Sequence, residues 1–291
     1  MSVVAIVGAG VIGVSWARLF AEGGWEVRVS DPRPDLQDIV DQQLAGFAVA
    51  ATSDLVAAAD GSDFVQEAGP ERISLKHTMF GALAANTRDD VVLASSSSSL
   101  LPSQIAEGNG AAHRIVVGHP FNPPELMPLV EVVPGSATSA GTVDRAVEVY
   151  RSLGKSPVTL KREIPGFVGN RLQRVVNEQA SYLVQQGVID ASDLDELVKT
   201  SLGLRWATIG PFESRHLGGG PGGIRNLLEH IASQMTFEIG QPDPAQMAAV
   251  IDQVEHAYGT GAENYDRLCE QRDRRTRAIL GALSDVEGVG R

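Results

Sequence analysis

The sequence predicts an α/β chain: a doubly wound sheet in the amino-terminal part, followed by an all-α domain. Short apolar runs alternate with helical stretches as far as "SPVTLK" (156–161). The first run passes directly into a glycine pattern that opens a helix, and beyond residue 161 the strand signals stop. Alternating strands and helices build a parallel sheet covered on both faces. The boundary is expected near residue 162, giving domains 1–162 and 163–291.

Residues 3–31 read "VVAIVGAGVIGVSWARLFAEGGWEVRVSD". Val3–Val7 is a buried-strand run, and Gly8-x-Gly10-x-x-Gly13 follows it without a gap. An amphipathic helix from Val11 to Glu22 is stopped by Gly23-Gly24, and a second strand, Trp25–Ser30, ends at Asp31. Glycines at this spacing occur by chance in a chain with 31 of them; the strand–turn–helix context gives them meaning. The first permits a tight turn, the second lets backbone approach a pyrophosphate, and the third lets helix and strand pack closely. The helix start then offers unpaired N–H groups to phosphate. This is the Rossmann-type dinucleotide pattern. It assigns Gly8, Gly10, Val11, Ile12 and Gly13 to the cofactor. Asp31, 18 residues past Gly13, suits the adenosine ribose hydroxyls and favours NAD over NADP despite the nearby Arg33.

Strands are next expected at "DFVQEA" (63–68), "DVVLAS" (90–95) and "RIVVGHP" (114–120), with helices near 52–59 and 71–85. Ligands of such sheets bind beyond the carboxyl ends of the strands. The serine run Ser95–Ser99 therefore reads as a strand end facing the cofactor cleft rather than as a flexible linker, and Ser96 is assigned to the cofactor. Glu67, at another strand end, is placed either against the nicotinamide ribose or as a surface carboxylate. His119 ends the next strand. After a proline-rich turn, Glu131 lies on a returning strand in "GHPFNPPELMPLVEVV" (118–133). Two neighbouring strand positions can bring this pair together, so that the carboxylate orients the imidazole and leaves one ring nitrogen as a base. A lone His and a lone Glu are more often structural; the nucleotide pattern upstream favours the catalytic reading.

The serine run, "GHPFNPPELMPLVEVVPG" and "IPGFVGNRLQ" (164–173) together resemble the L-3-hydroxyacyl-CoA dehydrogenase superfamily, on the branch of lambda-crystallin, L-gulonate 3-dehydrogenase and carnitine dehydrogenase. The resemblance runs over nearly the whole chain and includes "SLGLRWATIGPFESRHL" (201–217). It implies that His119 is the catalytic base, Glu131 its partner, and that Ser98 and Asn170 bind the substrate oxygen. It also implies a homodimer formed through the helical domain. The chemistry is self-consistent: a secondary alcohol loses hydride to NAD and its proton to His119, and no metal is needed.

In the carboxy-terminal part, "PGFVGNRLQRVVNEQASYLVQQG" reads as a long helix with Pro165 near its first turn and Gly187 at its end. Asn170 near its start is expected to reach the cofactor cleft. Arg205 is expected either to capture a free carboxylate from a partly desolvated pocket or to form an interdomain or dimer salt bridge. His216 and Trp206 are weaker pocket candidates, and the tryptophan is expected to serve as buried packing. "GGGPGG" (218–223) reads as an interhelix connection and "QRDRRTR" (271–277) as a solvated helix face. Family members carry a helical hairpin after the second strand that helps hold CoA. The stretch between Asp31 and Thr52 is too short for it, which points away from a long thioester.

With 24 basic against 36 acidic residues the formal charge is −12, which argues against general nucleic-acid binding. No apolar run is long enough to span a bilayer, and the opening strand pattern leads to the expectation of no secretory signal. A single cysteine, Cys269, excludes an intrachain disulfide, so a cytoplasmic protein is expected. The leading reading is thus an NAD-dependent oxidoreductase interconverting a small carboxylated L-3-hydroxy compound and its 3-keto form. The alternatives are a short-chain 3-hydroxyacyl-CoA dehydrogenase and a catalytically silent NAD(H)-binding or structural protein. A lysine-based β-hydroxyacid dehydrogenase fits poorly, because Arg174-x-x-Asn177 stands where its K-x-x-N pattern belongs and arginine cannot readily act as a base.

Overall fold

The computed structural model describes residues 1–231 and 237–286. Met1–Asn170 forms one compact unit, and the described residues from Arg171 onward belong to a second.

The first unit is built on an eight-stranded sheet of order β3-β2-β1-β4-β5-β6-β7-β8. Its strands are β1 (Val3–Val7), β2 (Glu26–Ser30), β3 (Val49–Thr52), β4 (Phe64–Glu67), β5 (Val92–Ser95), β6 (Ile115–Pro120), β7 (Leu129–Pro134) and β8 (Ser156–Thr159). The helices are α1 (Val11–Glu22), α2 (Leu36–Gln43), α3 (Leu55–Ala59), α4 (Ile73–Asn86), α5 (Pro102–Ile105) and α6 (Ala140–Ser152). Every pairing is parallel except β6 with β7, which is antiparallel. This is the predicted doubly wound sheet, and the antiparallel step is the predicted return after the proline-rich turn.

Period-2 alternation explains the two cores. Along β1, Val4 and Ile6 enter one cluster with Trp16, Phe20, Phe64 and Tyr150. Ala5 and Val7 enter the other, with Phe80, Leu83, Ile105 and Phe167. Because both faces are covered, the central strands read as unbroken apolar runs.

β3 was not expected. It lies inside the stretch between Asp31 and Thr52, where "VAAT" is too short and too small in side chain to announce an edge strand. The helix expected near 52–59 is the shorter α3, capped by Asp54, whose Oδ1 accepts from the amides of Val56 and Ala57. Between β2 and β3 there is one eight-residue helix, α2, and no hairpin.

The second unit is helical. α7 (Gly169–Gln185) runs into it and is followed by α8 (Ala191–Thr200), α9 (Leu202–Thr208), α10 (Pro211–Gly218), α11 (Gly223–Asn226), α12 (Met247–Tyr258) and α13 (Ala262–Ser284). Its buried cluster is small: Val184, Ala191 and Val250, with Leu194 and Met247 against them. Leu204, Phe212 and Leu217 are exposed. Among the described residues no helix is long and apolar enough to cross a membrane.

Candidate active site

The glycine loop between β1 and α1 has the shape a dinucleotide requires. Gly8 has φ +105°, and a Cβ there would lie 2.7 Å from the Ala68 carbonyl oxygen. A Cβ on Gly13 would stand 1.9 Å from the Gly8 carbonyl oxygen, whereas one on Gly10 would meet nothing within 4 Å. Two glycines are therefore demanded by the fold itself, and the middle one borders open space where a ligand can approach. The first-turn amides of α1, those of Val11, Ile12 and Gly13, have no carbonyl one turn before them. A cleft of about 730 Å³ opens beside them, lined among others by Gly8, Gly10, Asp31, Arg33, Glu71 and Met79. Asp31 Oδ2 accepts from the Ala9 amide at 2.8 Å, tying the end of β2 to the glycine loop. Arg33 is turned to Asp35, at 2.7 and 3.0 Å. These residues fit NAD.

His119 and Glu131 are brought together. They are directly opposite in the β6–β7 ladder, with His119 Nδ1 2.8 Å from Glu131 Oε2. A carboxylate only accepts, so Nδ1 is the donor of this bond and Nε2 is the ring nitrogen left free of it. The other oxygen of Glu131 accepts from the amides of Val168 and Gly169, at 2.9 and 3.0 Å. Burial works against the Glu131 charge, but His119 and the two amides outweigh it and hold the carboxyl below its ordinary range. Phe121 and Phe167 pack near the imidazole, ring centroids 5.8 and 5.4 Å away. A Cβ on Gly169 would press into Phe121, at 2.3 Å.

Asn170, the residue after Gly169, donates from Nδ2 to the Ser98 carbonyl oxygen at 3.2 Å. Ser98, fourth of the five serines in the run, is exposed. A continuous set of contacts thus joins Ser98 to Asn170, and through the adjoining Gly169 to Glu131 and His119.

Glu71 is the carboxylate that sequence reasoning missed. It accepts from Ser97 Oγ at 2.8 Å, from the Ser98 amide at 2.6 Å and from Ser98 Oγ at 3.2 Å, and it borders the cleft. The strand-end rule that singled out Glu67 applies equally to Glu71, four residues further along the same loop. Glu67 itself needs correction. Its side chain is fully buried, neither a surface carboxylate nor open to a ribose. Lys76 Nζ holds both oxygens at 2.6 and 2.7 Å, and Ser95 Oγ and the Gly69 amide donate as well. Burial pushes its carboxyl up, opposed by the Lys76 ammonium, Ser95 and the amide. The pair fastens the start of α4 to the ends of β4 and β5.

The loop after His119 is also fastened. Lys155 Nζ donates to the carbonyls of Pro124 and Met127, and Ser15 on α1 donates to Glu125. Burial lowers the Lys155 ammonium to about 8.

In the second unit, Arg205 is exposed on α9, a helix with no buried residue, and no ion pair holds it among the described residues. The expected desolvation is not supplied by its own unit. Trp206 is likewise half-exposed rather than buried. His216 accepts from the Ile224 amide and packs over Gly223, serving the glycine-rich connection.

This site can move one proton at a defined nitrogen beside a dinucleotide cleft. A family model described as the NAD-binding domain of 3-hydroxyacyl-CoA dehydrogenase matches residues 3–49 and 37–164. The model of the C-terminal domain of the same enzymes matches residues 166–266. A 3-hydroxyacyl-CoA dehydrogenase of Gibberella moniliformis is 38% identical over 98% of this chain and 96% of its own length. An L-carnitine dehydrogenase of Nocardiopsis dassonvillei is 37% identical over 98% and 92%. The solved structure of an NAD+-dependent 5-formyl-3-hydroxy-2-methylpyridine 4-carboxylic acid 5-dehydrogenase superposes with a TM-score of 0.83. It shares 27% identity over 99% of this chain and 100% of that one.

Proposed function

The chain belongs to the 3-hydroxyacyl-CoA dehydrogenase family, is an NAD-dependent dehydrogenase acting on a CH–OH group, and on that footing we propose that its substrate is a small carboxylated L-3-hydroxy compound, interconverted with the 3-keto form. The observation that carries the chemistry is the commitment of His119 Nδ1 to Glu131, which leaves Nε2 as base toward a hydroxyl and, once protonated, as acid toward a carbonyl. Glu131 stabilises the imidazolium at that moment and fixes the ring orientation. Asn170 Nδ2 with its second proton, and Ser98 Oγ once its proton turns from Glu71, donate to the substrate oxygen and hold it against Nε2. When bound, NAD accepts the hydride in oxidation and returns it in reduction.

Two features support a free carboxylate over a CoA thioester. The CoA-holding hairpin is replaced by the single short α2, and Arg205, with no ion pair among the described residues, brings a guanidinium suited to bidentate capture. The L-carnitine dehydrogenase relative bears a name that fits this substrate class. The Gibberella relative favours the second reading, a short-chain 3-hydroxyacyl-CoA. Reduction of NAD+ measured with gulonate, carnitine, 3-hydroxybutyrate and 3-hydroxybutyryl-CoA decides between them. Turnover of a free acid with no turnover of the thioester is expected; the reverse would sink the proposal. The helical part, residues 163–291, is proposed as the substrate-binding and dimerising domain, a reading supported by the exposed Leu204, Phe212 and Leu217.

A further inference from the structure

Beneath the serine run lies a set of polar side chains that the proton transfer does not use. Tyr150 from α6, Gln66 from β4 and Trp16 from α1 are all fully buried. Tyr150 Oη donates to Gln66 Oε1 at 2.7 Å, and Gln66 Nε2 donates to Ser96 Oγ at 2.8 Å. Trp16 Nε1 donates to the same Ser96 oxygen at 3.1 Å.

The directions of these bonds follow from chemistry. An indole N–H can only donate. A phenol hydroxyl sealed from water needs an acceptor, since leaving it unmade costs about 1–3 kcal/mol. Its acceptor is Gln66 Oε1, and burial raises the Tyr150 ionisation so that it stays a donor. The Gln66 amide is thereby oriented with its nitrogen toward Ser96. Ser96 Oγ then receives two N–H donors, which occupy both of its lone pairs. Its own proton has no acceptor within the set and is turned outward. Ser96 is half-buried, so that outward side exists.

Position gives the recipient. The adenosine end of a dinucleotide belongs at Asp31, beyond β2, and the pyrophosphate at the glycine loop beyond β1. Continuing across β4 to β5 leads to the nicotinamide half. We propose that Tyr150, Gln66 and Trp16 are positioning residues that fix Ser96 as a hydroxyl donor to an acceptor oxygen on the nicotinamide half of the cofactor. The proposal rests on the NAD-dependent reading above. It also gives Gly118 a reason: a Cβ there would stand 1.8 Å from Tyr150 Oη and displace the first member of the set.

The test is equilibrium binding, read by NADH fluorescence and by competition with ADP, together with thermal unfolding. Ser96→Ala should weaken NADH about three- to tenfold, one neutral hydrogen bond, and leave ADP unchanged. Tyr150→Phe releases the Gln66 amide to turn over and accept the Ser96 proton, so it should weaken NADH comparably. In the Ser96→Ala background it should then add less than about twofold. If Tyr150→Phe does not fold, Gln66→Met enters the same cycle. A Ser96→Ala protein that binds NADH as the wild type does overturns the proposal. So does a Tyr150 or Gln66 loss that multiplies in full with that of Ser96, the mark of a merely structural role. Wild-type protein that binds ADP and NADH equally overturns it too, while failure to bind either removes the NAD-dependent reading itself.

Discussion

His119 and Glu131 are cross-strand partners in the one antiparallel pairing of the sheet, 2.8 Å apart through Nδ1 and Oε2. The ladder that holds the strands together is therefore also what holds the imidazole to its carboxylate.

Replacing the base should separate chemistry from binding. His119→Ala is expected to lower kcat by about 10²- to 10⁴-fold, the range of general acid–base catalysis. Its NADH dissociation constant should stay within a few-fold of wild type. Steady-state rates and fluorescence titration read the two quantities, and full activity would withdraw the proton-transfer role.

The Glu131 carboxyl is held below its ordinary value in the folded chain, so the unfolded chain binds its proton first as pH falls. Its stabilisation is complete above the ordinary carboxylate range. It is lost as pH drops through that range and then through the lower folded value. Melting temperatures measured from pH 7 downward should fall less steeply for Glu131→Gln than for wild type. The variant should also lose kcat at pH 7, because the imidazolium loses its counter-charge.

Lys155 gives a pH dependence of the same sign in an alkaline window, but as a penalty on its charged form rather than a stabilisation. Its ammonium is lowered from 10.5 to about 8 by burial, so between those values the unfolded chain binds more protons. This one group makes the fold less stable below about pH 8, and the penalty fades as pH rises toward 10.5. Lys155→Met removes the titration, and the wild-type melting temperature should gain on that variant across the window. A constant difference would show that the ammonium does not titrate there.

Arg205→Ala should raise KM for a carboxylated substrate about 10- to 100-fold, the worth of hydrogen bonds to a charged group. kcat should change far less. An unchanged KM would return Arg205 to a structural or interfacial role.

If Asp31 is the acceptor for the ribose hydroxyls, as proposed, Asp31→Ala should weaken NADH and narrow its advantage over NADPH, a 2′-phosphate losing a repelling charge as well. Competitive titration of the two nucleotides checks it.

The parts of this protein legible in its sequence are those written in neighbouring residues. The passage from Val3–Val7 into Gly8, Gly10 and Gly13 carries its own context, and a proline-rich turn between His119 and Glu131 implies that their strands face each other. Contacts between unlike, distant segments were not legible. Nothing in "DFVQEA" says that Lys76 will bury itself on Glu67, or that Tyr150, 84 residues on, will orient Gln66. β3 escaped because a four-residue edge strand with small side chains carries almost no periodic signal. For Arg205 the sequence leaves a carboxylate pocket and an interdomain or dimer salt bridge equally open, because arginine serves both and burial depends on what surrounds α9.

The β6–β7 ladder has a consequence for how this chain tolerates length changes. Side chains on a strand alternate between faces, so adding or deleting a single residue within β6 or β7 sends one member of the dyad to the opposite side of the sheet. The same change beside the exposed Asn122, away from the Ser15 and Lys155 contacts of that loop, leaves the pairing untouched. An indel scan of residues 115–134 should therefore divide sharply at the strand ends, with tolerated variants confined to the loop.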